Sequence, residues 1–382
     1  MEGVISCDEC RTPTQNLEVR WLSRLSEMEE LRRAWLELMD RVPAPRAYSH
    51  PDWVLAWYEC YASEDGSYQD YPFLGTVSSH DSLYGIAPFL SLRSQSAKLP
   101  VRSLILAGFN MLTGEFLLDT PREVVLAALF RSLANRQDWD VLNISCLPTS
   151  GDLVELIPRL LHAEGLDYEI TDYEPYALVD LSQGYDHYLA EQGGRFRRNV
   201  RRWGRKIRDA GGWTTDRLGP SPPSHEVEQF LERIWVLVKR GWRVKERSLD
   251  DEERHNRFYR KMVRTPSLHE LIDLQILKVG GSDAAYCLGL VRNNRYFHLL
   301  QGFDDDLRSL SPGAFHLQKI FERLASQGVH TVISDGGYAY KRHWASSFVP
   351  QSQILVFNRT LRGRLSAFLK LKVKPQLARI PT

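Results

Sequence analysis

The order in which strand-like and helix-like segments recur constrains this chain more than any single motif does. Three apolar runs, Pro72–Val77, Leu83–Leu92 and Val101–Leu106, lead through a turn-rich link to a helix opening at Pro121 and running to Ala134. A strand at Val141–Cys146 follows. The same order returns at Leu271–Val279, Ala284–Arg292 and Tyr296–Gln301, with the polar link Gly302–Ser311, a helix opened by Pro312-Gly313-Ala314 and running to about Gln327, and a short strand at Thr331–Ser334. Proline suits the first helical turn because its missing N–H would have no partner there. Element order, rather than residue identity, carries this repeat. At 382 residues and 43% hydrophobic content, the chain is long enough for two such units, each able to bury a core.

Charge narrows the partners. The 49 Lys and Arg nearly cancel the 48 Asp and Glu, which excludes a protein that coats nucleic acid with its whole surface. Any basic site is therefore local. Eight of the fourteen residues from Arg195 to Arg208 are basic, while Phe196, Val200, Trp203 and Ile207 fall on one helical stripe, and Gly211-Gly212 ends the segment. Glu191–Arg247 holds fifteen basic against seven acidic residues, a net +8. Such a field suits a phosphorylated substrate, the acidic face of a carrier protein or a tRNA; alternatively the arginine stems cover apolar surface and their heads are solvated. The candidate substrate contacts are Arg195, Arg198, Arg201 and Arg205, with Trp242 as an aromatic wall at the end of a helix over Glu226–Val244.

The first thirty residues hold no signal-peptide core, and the longest apolar run, Val124–Phe130, is far short of a membrane span. A cytoplasmic protein without membrane insertion is expected. Five cysteines, at 7, 10, 60, 146 and 287, form no disulfide framework. Cys7-x-x-Cys10 lacks a second pair at zinc spacing, so no metal is expected, and residues 1–16 read as a disordered tail. Cys146 and Cys287 read as core.

In sheets of this kind ligands sit beyond the carboxyl ends of strands, where helix N-termini offer unpaired N–H groups to anions. The Ser311–Phe315 turn is thus the leading phosphate or pyrophosphate cradle. Asp335, beside Gly336-Gly337, can accept a proton or close an Asx turn. Lys341 lies directly beyond it, after Tyr340. His298 faces either the cleft or the core, and Asp304-Asp305-Asp306 reads as a solvated loop.

Arg308-x-x-Ser311-x-Gly313-Ala314 resembles the acyl-CoA loop of the GNAT N-acyltransferases, Arg/Gln-x-x-Gly-x-Gly/Ala, with Ser311 at the first glycine. Ser311-Pro312-Gly313, Asp335-Gly336-Gly337 and Tyr340-Lys341-x-x-Trp344, with the arginine-rich segment near Arg198, resemble the CelD/BcsL-like branch. That branch is similar in turn to the Fem aminoacyl ligases, which carry two GNAT-like halves in one chain. The resemblance implies an α/β protein of two tandem GNAT-like halves, each a mixed, mainly antiparallel sheet flanked by helices. A degenerate half would span 17–183, a basic connecting helix 184–212 and an acyltransferase half 213–382. It implies acyl-CoA or acetyl-CoA as co-substrate, or a carrier-protein thioester, held by Arg308, Ser311, Pro312, Gly313, Ala314 and Phe315. The acceptor would be an amine of a small molecule or saccharide, with Lys341 stabilising the oxyanion, Asp335 removing the proton and Tyr340 protonating the leaving thiolate, near His298. The first copy has no such loop and no Tyr-Lys pair, so it is expected to frame the acceptor cleft. An aminoacyl-tRNA-dependent ligase and a non-catalytic scaffold of polysaccharide synthesis are the alternatives.

Overall fold

The computed structural model describes residues 17–62, 70–80, 82–96, 98–108, 115–219, 221–241 and 249–373. The tail 1–16, with Cys7 and Cys10, and Trp242 lie outside the described residues. The strands are β1 (Glu18–Leu22), β2 (Tyr71–Ser79), β3 (Ser82–Ser96), β4 (Leu99–Leu106), β5 (Leu117–Leu118), β6 (Val141–Pro148), β7 (Asp167–Asp180), β8 (Trp213–Arg217), β9 (Ile272–Val279), β10 (Ser282–Arg292), β11 (Arg295–Phe303), β12 (Thr331–Ser334) and β13 (Ser347–Phe357). They form one sheet in the order β1-β2-β3-β4-β6-β13-β7-β12-β11-β10-β9-β8, with β5 alongside β3.

Read from both ends, that order is the same. The meander β1–β4 followed by β6 is mirrored by β8–β11 followed by β12. At the centre the units exchange strands: β13 pairs with β6 of the first unit, and β7 pairs with β12 of the second. β7 and β13 also pair with each other over a long antiparallel register, from Ser347↔Leu178 to Phe357↔Asp167. The two sheets are thereby fused through backbone hydrogen bonds. Among the described pairings only β4–β6 and β11–β12 are parallel.

The helices are α1 (Leu25–Glu30), α2 (Arg32–Arg41), α3 (Pro51–Tyr61), α4 (Arg122–Ala134), α5 (Asp152–Ala163), α6 (Tyr185–Glu191), α7 (Gly194–Asp209), α8 (Ser224–Arg240), α9 (Leu249–Arg264), α10 (Pro312–Ser326) and α11 (Leu361–Phe368). The aromatic stripe of α3 is core: Trp53 meets Phe258 of α9 edge-on at 4.8 Å, and Trp57 stacks on Tyr61 at 4.9 Å. This cluster continues through Phe230, Ile234 and Leu237 of α8 onto β9 and β10, so one core spans both units. On the other face of the second unit, Tyr188, Phe196, Phe321 and Trp344 join α6, α7 and α10. Gly211 and Gly212, both at positive φ, end the passage from α7 into β8. Cys287 is buried as expected, whereas Cys146 is half-buried because it sits at φ 60°, where β6 bulges against β13.

Candidate active site

Parallel β11 and β12 are held together at Arg295↔Thr331, Tyr296↔Val332 and Phe297↔Ile333, and they part beyond that point. A bulge assists the parting. β10 pairs Leu288 with Leu300 but Gly289 with His298, leaving Leu299 as the extra residue and bending β11. The chain returns through the 302–311 link to Ser311, whose φ of 57° and ψ of 49° are left-handed, and enters α10 with Pro312 in its first turn. Where the resembled pattern carries glycine, this chain carries a serine in a conformation that glycine adopts most easily.

A cavity of about 670 Å³ lies in the fork. Gln301, Gly302 and Phe303 of β11 form one wall and Gly313, Ala314, Leu317 and Gln318 of α10 another. Gln192, Arg195, Asn199 and Trp203 approach from α7 and the turn before it, Leu237 and Val238 from α8, and Tyr340, Arg342, His343 and Trp344 from the turn after β12. Gly313 packs on Phe303, so that a Cβ there would stand 3.0 Å from the ring. Neither α7 nor α10 has an acidic residue in its first turn, so no carboxylate of their own neutralises the positive ends of the two helices.

Behind this wall lies a second polar group. Lys341 is buried; its ammonium donates to the backbone carbonyl of Asp335 and lies 5.2 Å from the centre of the Tyr338 ring. His298 is buried at the fork, with Nδ1 3.0 Å from Ser334 Oγ and its ring edge-on to Trp344. Trp344 is pinned in turn, its carbonyl accepting from the Tyr188 hydroxyl at 2.7 Å. Burial pushes the Asp335 carboxyl up to about 6, against the opposing pull of Arg46 and Lys341. Arg46 comes from the first unit. Its Nη1 donates to Tyr48 Oη at 2.7 Å, and its Nε pairs with Glu115 at 3.2 Å. Glu115 also accepts from Arg46 N and Ser49 Oγ, both at 2.7 Å, which fixes the guanidinium.

Of the residues singled out from sequence, Arg195, Gly313, Ala314 and Tyr340 line the cavity. Ser311 and Pro312 shape the turn that presents Gly313. Phe315 turns its ring into packing against Trp213 at 5.5 Å. Arg308 is exposed and paired with Asp305 at 2.8 Å. Arg198, Arg201 and Arg205 stand exposed on the outer side of α7, and Lys206 ties that helix to the 302–311 link through Ser309 O at 2.6 Å. Asp304 is not a solvated loop residue: it is buried and accepts from Asp306 N and from Arg240. Gln192, Asn199, Gln301, Gln318, Arg342 and His343 escaped sequence reasoning. A polar residue on a strand or helix carries the same pattern whether it meets solvent or a cavity, and only the Tyr-Lys motif beside His343 flagged that stretch. Among the described residues no group of three or more His, Cys, Asp or Glu is placed to hold a metal ion. No described helix is long and apolar enough to cross a membrane.

Residues 194–342 match the family model described as an acetyltransferase (GNAT) domain. The fold is similar to that of FemX, with a TM-score of 0.58 at 13% identity over 93% of this chain and 99% of that one. It is also similar to the C-terminal domain of a putative lysylphosphatidylglycerol synthetase from Agrobacterium fabrum, with a TM-score of 0.55 at 12% identity over 91% and 96% of the two chains. A conserved protein of unknown function from Bacteroides thetaiotaomicron gives 0.51 at 12% identity over 89% and 100%. No curated protein matches the chain.

Proposed function

We propose that the chain, whose residues 194–342 match a GNAT acetyltransferase model and whose fold is similar to that of FemX, is an N-acyltransferase moving an acyl group from a CoA or carrier-protein thioester to an amine. The observation that carries this reading is the cavity in the β11–β12 fork, with Gly313 and Ala314 at an unneutralised helix N-terminus on one side and Tyr340 on another. The N–H groups of that first turn suit a pyrophosphate, and the fork gives the pantetheine arm a slot between strands. The acceptor amine attacks the thioester carbonyl, the C–N bond forms and the C–S bond breaks. The ammonium proton passes to a base, and the thiolate takes one from an acid.

In this reading Asp335 is the base, because a carboxyl near 6 is both available and basic at neutral pH. Tyr340 is the acid. Lys341 supplies a fixed positive charge next in sequence to it, favouring the oxyanion. His298 holds the fork beside Trp344. Residues 17–183 frame the acceptor side through Arg46, and residues 213–382 carry the chemistry. Tyr340-Lys341-x-x-Trp344 resembles the CelD/BcsL-like branch, and a CoA donor implies a cytoplasmic reaction.

Calorimetric titration with acetyl-CoA and longer acyl-CoA thioesters tests the donor. Saturable binding at one site is expected, and failure to take up any CoA or carrier thioester overturns the reading. Lys341→Ala is expected to lower turnover about 100-fold with a cooperative melt retained; unchanged turnover removes Lys341 from the machinery. A second reading, an aminoacyl-tRNA-dependent ligase, is favoured by the exposed Arg198, Arg201 and Arg205 on the helix whose N-terminus reaches the cavity. It requires activity that falls steeply with salt.

A further inference from the structure

α11 is fixed to the first unit by its small residues and turns its large apolar ones outward. Thr360 Oγ1 accepts from Gly363 N at 3.0 Å and donates to Asp140 Oδ1 at 2.7 Å. Gly363 sits so close to the backbone that a Cβ would stand 2.2 Å from the Asn358 carbonyl oxygen. Gly363, Ser366 and Ala367 are buried. On the opposite side Leu361 is 84% exposed, Leu365 43% and Phe368 52%. These positions, i, i+4 and i+7, share an arc of about 60° on the helix. Exposed Arg362 and Arg364 border that arc on its two sides, and Lys370 and Lys372 follow in the next turn.

Charge identifies what the stripe meets. From Asn358 to Thr382 the sequence has seven basic residues and no Asp or Glu. Among the described residues Arg362, Arg364, Lys370 and Lys372 form no ion pair, while Arg359 is engaged with the Glu164 carbonyl. On α7, by contrast, the apolar stripe faces inward and no large apolar side chain is exposed.

We propose that α11 docks the protein onto an anionic phospholipid surface, with Leu361, Leu365 and Phe368 at the acyl boundary and the flanking cations among the headgroups. A nucleic acid would satisfy the cations and leave the apolar stripe wet. A second copy of this chain would bring two like-charged faces together. An anionic bilayer matches both features, and the inference stands apart from the acyl-transfer reading.

Flotation with vesicles tests it, using phosphatidylcholine alone and phosphatidylcholine with roughly 30% phosphatidylglycerol. The protein is expected to float with the anionic vesicles, weakly or not at all with the neutral ones, and to be released by salt. Leu361→Ser, Leu365→Ser and Phe368→Ser together should lower partitioning about tenfold or more with an unchanged melting temperature. Arg362→Gln and Arg364→Gln together should lower it roughly tenfold as well. The proposal is overturned by equal flotation of the triple serine variant, by equal binding to neutral vesicles, or by an absence of flotation. It is likewise overturned if the triple substitution instead dissolves a dimer or abolishes binding to RNA.

Discussion

The two units build the same fork and fill it differently. In each, two parallel strands pair at three positions and then diverge: Ser103–Ile105 with Val141–Asn143 in the first, Arg295–Phe297 with Thr331–Ile333 in the second. In the first unit β4 follows β3 without a register shift, and Leu104, Leu106, Phe116, Leu118 and Phe130 fill the neighbouring space as core. In the second, the bulge at Leu299 bends the strand, Gly313 and Ala314 occupy the helix start, and a cavity remains. The helix starts differ electrically as well. α4 carries Glu123 in its first turn, whereas α10 carries no acid there and leaves its positive end unneutralised. One sheet topology therefore gives a packed frame or an open cavity, according to a few side chains at the mouth of the fork.

Filling the second fork as the first is filled should have the largest effect. Gly313→Val places methyl groups against Phe303 and into the slot, and is expected to weaken donor binding at least 100-fold, or about 2.7 kcal/mol. Overpacking should cost about 1–3 kcal/mol of stability, so the melting temperature falls modestly. Calorimetry and a thermal melt on the same sample separate the two. Undiminished binding would mean that the cavity is not the donor site and that the two forks do not differ in function.

The next test uses the carboxyl that the first unit influences through Arg46. With Asp335 as base, turnover should fall about tenfold per pH unit below about 6, and Asp335→Asn should lose that limb together with about 100-fold in rate. Stability has the opposite sense. A carboxyl raised from its ordinary value to about 6 is protonated more readily folded than unfolded, so its burial destabilises the fold increasingly as pH rises from about 4 to 6. Asp335→Asn is therefore expected to stabilise the protein at pH 8, by up to about 3 kcal/mol, and to leave it unchanged near pH 4. His50, near 4, and His316, near 3, are kept neutral by burial and act in the reverse sense. The difference between wild type and variant isolates Asp335.

The legibility of these features in the sequence followed their range. The repeated order of elements, the stripe of α7 and the proline-opened starts near 121 and 312 are local, and all were readable. The exchange of β7 and β13 between units was not, because each strand's own residues say that it is half-buried and nothing of which neighbour it meets. Arg46 and Asp335 lie far apart in sequence, and only the fused sheet brings the guanidinium to bear on the carboxyl. The motif singled out Lys341, but the winding of the short Ala339–His343 turn sends Tyr340 and Arg342 into the cavity and buries the lysine between them.

Charge reversal on α7 sharpens the contrast in a different way, since among the described residues the first unit has no comparable basic helix. Arg198→Glu, Arg201→Glu and Arg205→Glu together should change acyl-CoA affinity by less than about fivefold, because these exposed residues are not among those that line the cavity. A loss of several hundredfold, with a steep salt slope in the wild type, would move the assignment to a polyanionic donor.

The smallest effect should come from making the first unit's helix start resemble the second's. Glu123→Gln removes the acid from the first turn of α4 and its long, exposed pairing with Arg159 at 3.8 Å. The dipole contribution lost is about 0.5 kcal/mol, and the exposed pair adds little. The melting temperature should shift by roughly 2 °C or less. Donor stoichiometry should stay at one per chain, because the space beside α4 is occupied by Phe116 and Phe130 and an unneutralised helix end cannot hold a ligand that has nowhere to lie. A second equivalent of acyl-CoA bound by this variant would show that charge alone had kept the first fork empty. The packing argument for the asymmetry would then fail.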